Sequence, residues 1–195
     1  GPREDARDVI IWKDRAWHPQ GVPLHFPVTE DHDQKYSGTP CGCQESAGLE
    51  SPANLCIGTC SLRRIAQIRA LFPHAQILPL RGNVDTRLRK LDTGEYDGIV
   101  LAAAGLHRLG VYERLTERMT YLPIDVIMPA PGQGALALEV RDDPDMHALV
   151  APLNDSVAQA TTSAERTFMR RLGAGCYLPV AAYGEVTSET LTLLG

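Results

Sequence analysis

The chain has 195 residues, a formal net charge of -5 and 44% hydrophobic residues, a composition typical of a globular protein with one large or two small domains. The acidic balance argues against a general nucleic-acid binder, no apolar run reaches the roughly 20 residues that cross a bilayer, and the N-terminus lacks a signal-peptide pattern. Five cysteines, an odd number in a chain too long to need disulfides, indicate a reducing, cytoplasmic setting.

The N-terminal part of the chain shows little regular pattern. Val9–Trp12 is apolar and predicts a short strand. Residues 13–54 are rich in Pro, Gly, His and Asp and show no sustained period, so they predict a long loop or an insertion. A stretch of that length without structure is uncommon inside a compact domain.

From Leu55 onward, the pattern predicts alternating strands and helices. The run Gly98–Ala102 has no polar alternation, which is typical of a strand buried on both faces of a parallel sheet. Residues 55–130 therefore predict an α/β lobe with right-handed crossovers. Its expected elements are strand Leu55–Ile57, a helix from the N-cap Ser61 to about Leu71, strand Gln76–Leu80, a helix capped by Asn83 or Asp85 to about Leu91, strand Gly98–Ala102 and a helix from Ala104 to about Met119.

After Pro131 the predicted organisation changes. Ala135–Val140 reads as a further apolar strand, and residues 143–172 as a helix with an uncertain break, closed by Gly173. Residues 179–195 predict two strands joined by a polar turn at residues 187–189. This tail is expected to be part of a small α+β domain that begins near residues 141–150.

The segment Gly58–Leu91 reverses the sign of the charge: it holds seven basic residues, six of them arginine, opposed within the segment only by Asp85. Two of its turns follow predicted parallel strands, where ligands of such sheets commonly bind. Each turn pairs a glycine and a helix start with arginine, a combination that favours anions. Capped helices with solvated arginines are the alternative. The candidate residues are Thr59, Ser61, Arg63 and Arg64 at the first turn, and Arg81 and Arg87 at the second.

Cysteines suggest two further sites. Cys176 follows a helix end in a turn of small residues, and the neighbouring Arg170 and Arg171 would favour its thiolate, although a lone cysteine is more often an inert buried residue. A metal or redox protein is a competing interpretation, but the spacings do not match a finger or ribbon, so no metal site is predicted. That interpretation would use Cys41, Cys43, Cys56 and Cys60.

Taken in order, five segments resemble the porphobilinogen deaminase family. The resemblance covers roughly residues 1–12 and 55–195, and the long central block is too specific for chance. The segments are REDARD at residues 3–8, GTCSLRR at 58–64, LRGNVDTRLRKLDTGEYDGIVLAAAGLHRLG at 80–110, PGQGALALEVR at 131–141 and AERTFMRRLGAGCYLPVAAYG at 164–184.

The resemblance implies a transferase of porphyrin and haem biosynthesis, a hydroxymethylbilane synthase. Such an enzyme condenses four porphobilinogen units, with loss of ammonia, on a covalently bound dipyrromethane primer. It is expected to be a cytoplasmic monomer that binds this small substrate and neither nucleic acid nor membrane. The implied site residues are Cys176 as the thioether anchor of the cofactor, Ser61, Arg63, Arg64 and Arg87 as cofactor-binding residues, and Thr59, Arg81 and Arg87 as substrate-binding residues.

The resemblance also implies parts that this chain does not contain. The family's catalytic aspartate lies in a region before REDARD, so no catalytic residue is expected here, and we expect these 195 residues alone to be inactive. The strand Ala135–Val140 would lose its partners and leave an apolar edge. The implied domains are a remnant of domain 1 with a hinge at 1–12, a long loop or insertion at 13–54, domain 2 at 55–130, a strand and crossover of domain 1 at 131–147, and a partial domain 3 at 148–195.

A non-catalytic anion-binding lobe is the competing interpretation of function. The first two domains of the family resemble the lobes of type II periplasmic binding proteins, and one lobe could survive as a binding module. A two-pyrrole adduct on Cys176 would favour the enzyme, and an unmodified chain the binding module.

Overall fold

A computed structural model of the chain describes residues 1–14, 55–173 and 178–195. Its larger unit is a mixed α/β layer built on a five-stranded sheet. The elements of this unit are β1 Asp8–Trp12, β2 Cys56–Gly58, α1 Leu62–Leu71, β3 Gln76–Leu78, α2 Val84–Asp92, β4 Gly98–Ala102, α3 Ala103–Arg108, a 3₁₀ helix at Glu113–Arg118 and β5 Met119–Leu122.

The strand order is β3-β2-β4-β1-β5, with β2 parallel to both β3 and β4. β1 runs antiparallel to its two neighbours, so the sheet is mixed rather than wholly parallel. Residues 1–12 were expected to be a remnant of another domain, yet residues 8–12 lie inside this sheet, between β4 and β5. All five residues of β1 are buried, because the strand is covered on both faces and paired on both edges.

The core has two layers, one on each face of the sheet, and β1 contributes to both. Ile10 and Trp12 pack on the face that α1 covers. Val9 and Ile11 pack on the opposite face, against residues of α2 and α3. Successive side chains of a strand point to opposite faces, so this apolar run serves both layers.

Local signals predicted most of the helix starts. The Ser61 side chain accepts a hydrogen bond from the backbone N–H of Arg64 at the start of α1, and Asn83, rather than Asp85, caps α2 through the N–H of Thr86. Strand Gly98–Ala102 is confirmed with its predicted bounds.

The predicted helix from Ala104 to Met119 was too long. α3 ends at Arg108, and Gly110 follows with φ +64°, a left-handed conformation that commonly ends a helix. The chain then continues as a short 3₁₀ helix and as β5, which pairs with β1.

Residues 135–140, which were predicted to be a strand that loses its partners, do not form a strand. They have no regular structure and pair with no strand among the described residues. Leu136 is 75% exposed and Leu138 is 60% exposed, so the apolar positions of the segment face solvent.

The C-terminal unit packs a helix against a hairpin. The helix predicted at residues 143–172 breaks near Asn154, and Asp155 caps its second part; Gly173 follows with φ +64°. The two predicted strands and their turn are confirmed. The elements are α4 Pro144–Val150, a 3₁₀ helix at Ala151–Leu153, α5 Ser156–Arg171, β6 Tyr183–Thr187 and β7 Thr190–Leu194. Across the described ranges, no helix has both the length and the apolar character needed to cross a membrane.

Candidate functional site

The two arginine-bearing turns lie side by side at one edge of the sheet. Gly58 at the end of β2 is in register with Leu78 at the end of β3, and the N–H of Thr59 donates to the Leu78 carbonyl at 3.0 Å. Both turns therefore leave the sheet at its carboxyl-end edge, as the sequence predicts.

Two hydroxyl groups organise the first turn. Thr59 is buried, and its Oγ1 accepts a hydrogen bond from the N–H of Ser61 at 3.2 Å. The Ser61 Oγ in turn accepts from the N–H of Arg64 at 3.4 Å, which caps α1. Since a hydroxyl can donate as well as accept, each retains a proton that it can donate to an anion at the helix start.

Arg63 and Arg64 share one carboxylate, that of Asp8 at the start of β1. The Nη2 of Arg63 contacts Oδ2 of Asp8 at 2.7 Å, and the Nη2 of Arg64 contacts Oδ1 at 2.7 Å. The Asp8 side chain has no exposed surface, and those of Arg63 and Arg64 are 6% and 11% exposed. Backbone carbonyls complete the contacts: Arg63 donates to Met128 at 2.6 Å and Arg64 to Val100 at 3.1 Å.

This cluster of Asp8, Arg63 and Arg64 has more positive than negative charge. Two guanidinium groups face one carboxylate, which leaves one positive charge uncompensated within the cluster. Burial lowers the pKa of Arg63, the neighbouring Arg64 lowers it further, and the charge and hydrogen bond of Asp8 act in the opposite direction. Among the described residues, the buried Nε of Arg63 has no hydrogen-bond partner. The arrangement favours an additional anion.

Gln133 connects this cluster to a second buried ion pair. Its Nε2 donates to Oδ1 of Asp8 at 2.9 Å, and its backbone carbonyl accepts from Nε of Arg3 at 2.8 Å. Arg3 pairs with both carboxylate oxygens of Glu165 on α5, at 2.6 and 3.2 Å. Glu165 also accepts from the backbone N–H groups of Gly132 and Gly184, at 2.6 and 2.7 Å.

Arg81 and Arg87 differ from the first pair in their surroundings. Arg81 is exposed in the second turn, and Arg87 is partly exposed, with its Nε donating to the carbonyl of Gly82 at 2.7 Å. These two arginines belong to the same sheet edge as Arg63 and Arg64 but lie toward solvent.

The predicted cofactor anchor, Cys176, lies outside the described residues, as do Cys41 and Cys43 of the metal interpretation. Cys60 is exposed beside the first turn, and Cys56 is partly buried in β2, where burial raises the pKa of its thiol. Within residues 1–14, 55–173 and 178–195, no group of three or more His, Cys, Asp or Glu is placed to hold a metal ion.

The acids that balance the arginines were not evident from the sequence. Within residues 58–91 the only opposing acid is Asp85, whereas the counter-ion is Asp8, which lies far earlier in the chain. One signal was available: Asp8 opens the otherwise apolar run Asp8–Trp12, and a charge in a strand buried on both faces needs a partner. No comparable signal in the sequence identifies Glu165 or Gln133.

Comparison with known families assigns the chain to one of them. Residues 1–148 match the family model described as porphobilinogen deaminase, dipyromethane cofactor binding domain. The chain belongs to the porphobilinogen deaminase family. Residues 159–195 match the model described as porphobilinogen deaminase, C-terminal domain.

Individual relatives agree with the family assignment. The chain is 50% identical to a porphobilinogen deaminase of Nitrosomonas europaea over 98% of its own length and 62% of the relative. It is also 50% identical to one of Syntrophotalea carbinolica, over 100% of its length and 51% of the relative. For one of Chromobacterium violaceum the identity is 51%, over 75% of the chain and 47% of the relative. The chain thus spans about half to three fifths of the curated relatives it matches.

Proposed function

We propose that the whole protein is a hydroxymethylbilane synthase, which joins four porphobilinogen units with loss of ammonia on a dipyrromethane primer. Membership of the porphobilinogen deaminase family supports this proposal, as does the match of residues 1–148 to the cofactor-binding domain. The structural observation that carries it is the buried pair Arg63 and Arg64 with a single counter-ion, at the edge where ligands of such sheets bind.

The chemistry of this donor set fits the cofactor. Each pyrrole of the primer bears acetate and propionate groups, and arginine binds carboxylates through charge-assisted hydrogen bonds. The cluster has one positive charge in excess, which would attract a ligand carboxylate. When bound, the primer supplies the pyrrole carbon to which the next unit is joined.

The residues of the first turn would hold the primer in place. Arg63 and Arg64 supply charge, Ser61 can donate its hydroxyl proton, and the N-terminus of α1 adds its dipole. Low exposure keeps water away from the two guanidinium groups, which strengthens their interaction with an anion.

The second turn is better suited to the incoming substrate. Arg81 and Arg87 lie toward solvent, where a porphobilinogen molecule can reach them before it joins the primer. Arg87 would then contact cofactor and substrate in turn, and Thr59 would add a polar contact from the adjoining turn. The proposed role of these residues is binding, orientation and charge compensation.

Cys176 is the proposed attachment point of the primer, through a thioether. The protein would act as a cytoplasmic monomer on a small-molecule substrate, without nucleic acid or membrane partners. The odd number of cysteines supports the reducing compartment. The likeness to a lobe of type II periplasmic binding proteins stays a hypothesis about the fold.

Mass spectrometry of the whole protein tests the attachment. We expect the whole protein, expressed in a host that makes porphobilinogen, to carry the added mass of two pyrrole units. Cys176→Ser should abolish the adduct, whereas Cys60→Ser, which alters an exposed cysteine beside the first turn, should retain it.

Three outcomes decide the question. An adduct that persists in Cys176→Ser would assign the attachment to another residue. An unmodified whole protein that still binds porphobilinogen would favour the anion-binding module. An unmodified whole protein that does not bind porphobilinogen would contradict the proposed function.

A further inference from the structure

Asp8, the last residue of the REDARD segment, lies between Arg63 and Arg64 and binds both. Asp8 is fully buried at the start of β1, opposite Ala102 at the end of β4. It therefore stands at the same sheet edge as the first arginine-bearing turn. The roles proposed above treat it only as the counter-ion of the two arginines.

Each oxygen of Asp8 binds a different arginine. Oδ2 accepts from Nη2 of Arg63 at 2.7 Å. Oδ1 accepts from Arg64 twice, from Nη2 at 2.7 Å and from Nε at 3.2 Å. One planar carboxylate thus fixes two guanidinium groups side by side, although like charges would otherwise move them apart.

Gln133 fixes the orientation of the carboxylate itself. Its amide Nε2 donates to Oδ1 of Asp8 at 2.9 Å and to the backbone carbonyl of Ala6 at 2.6 Å. The amide is therefore anchored to the backbone beside the acid that it orients. The carboxylate has little freedom to rotate. Because both guanidinium groups bind to it, their positions are fixed as well.

We propose that Asp8 is a positioning residue, which holds Arg63 and Arg64 in the arrangement that accepts one carboxylate of an anionic ligand. The identity of that ligand rests on the proposed function, but the positioning does not. Asp8 acts through the arginines and has no accessible surface for direct contact with a ligand.

An effect of net charge alone and a positioning role predict opposite changes in anion affinity when Asp8 is replaced. Asp8→Asn raises the charge of the cluster by one unit, so attraction alone would strengthen anion binding. If Asp8 positions the pair, the same change weakens binding, because the amide NH₂ repels one guanidinium and the two groups separate. A purely structural role would change stability and leave the affinity of the folded molecule unaltered.

A titration with propionate, monitored by NMR of the arginine Nε–H groups at constant ionic strength, separates these possibilities. The resonances are assigned with single arginine-to-lysine variants. We expect propionate to bind the unmodified chain, and Asp8→Asn to weaken binding at least tenfold. Gln133→Met, which leaves every charge in place, should weaken it about threefold.

Asp5→Asn is the matched control, because Asp5 lies in the same segment and pairs with its own arginine, Arg7, at 2.7 Å. Its propionate affinity should stay within twofold of the unmodified chain. If Asp8→Asn does not fold, Gln133→Met decides alone.

The proposal would be overturned if Asp8→Asn binds propionate as tightly as the unmodified chain or more tightly. The same result for Gln133→Met would overturn it if Asp8→Asn does not fold. A failure of propionate to bind the unmodified chain would also overturn it. If propionate binds as expected but porphobilinogen binds no more tightly than propionate, the proposed function fails while the positioning role of Asp8 stands.

Discussion

At the scale of single residues, buried acids determine whether an arginine of this chain is neutralised or retains positive charge for a ligand. Glu165 has no exposed surface and binds Arg3 through both oxygens, so that pair is neutral. Asp8 serves two arginines and leaves a positive excess. The neutral Arg3–Glu165 pair joins distant segments of the chain. The Asp8 cluster, with its excess positive charge, is suited to binding an anionic ligand.

Glu165→Gln should destabilise the protein by about 3 kcal/mol, since it leaves Arg3 buried without a charged partner. The amide NH₂ also replaces one of the two carboxylate oxygens, so either the N–H of Gly132 or that of Gly184 loses its acceptor. Urea unfolding measures the loss.

Glu185→Gln, at an exposed position of β6, is the control and should change the free energy of unfolding by less than about 0.5 kcal/mol. Equal losses for the two variants would show that the Arg3–Glu165 pair contributes no more than a surface charge.

At the scale of elements, the turn at residues 131–134 joins the N-terminal segment to the rest of the molecule. Gly134 accepts at its carbonyl from the N–H of Glu4 at 3.1 Å and from Arg108 at 2.6 Å. Gly132 and Gly134 both have positive φ, at +79° and +87°, but only Gly134 lies directly against another backbone segment.

Gly134→Ala should therefore cost more stability than Gly132→Ala. Both changes place an alanine in a left-handed conformation, at a cost of about 1 kcal/mol. At Gly134 the new Cβ would also overlap the carbonyl oxygen of Glu4, which adds about 1 to 3 kcal/mol, whereas at Gly132 it meets open space. Thermal or urea unfolding compares the two, and equal losses would contradict this account.

The helices and strands also show which features of the fold can be predicted from the sequence alone. Ser61 and Asn83 cap helices through residues three positions away, so local chemistry was enough to predict them. The end of α3 at Arg108 and the pairing of β5 with β1 were missed, because apolar spacing alone does not separate a helix from a following strand. The contact between Asp8 and Arg63 depends on the sheet order, which a single sequence does not specify.

At the scale of the whole molecule, apolar surface is concentrated beyond the α/β core. Leu136 and Leu138 are exposed in a segment that the sequence predicted to be a strand. β7 is exposed along its whole length, and Leu149 and Leu153 add further surface nearby in the chain. Such surfaces promote association between copies of a chain.

The double variant Leu136→Asn and Leu138→Asn should reduce self-association while changing the free energy of unfolding by less than about 0.5 kcal/mol. Light scattering measures the first effect and urea unfolding the second. Leu122→Ala is the contrast, because Leu122 is 2% exposed and its truncation should cost about 2 to 5 kcal/mol. A large loss of stability in the double variant would show that the two leucines are packed in solution.

The position of β1 has a consequence for how the chain folds. Its partners are β4 and β5, so Val9 pairs with Leu101 and Tyr121, which are separated from it by most of the larger unit. Both core layers need its side chains, and a ribosome completes β1 long before either partner exists. β1 therefore pairs with β4 and β5 only after the long segment between them has been brought together. The conformational entropy lost in this step makes folding slow for a unit of this size. During that interval the apolar strand is exposed, and it is the segment that a chaperone would be expected to protect.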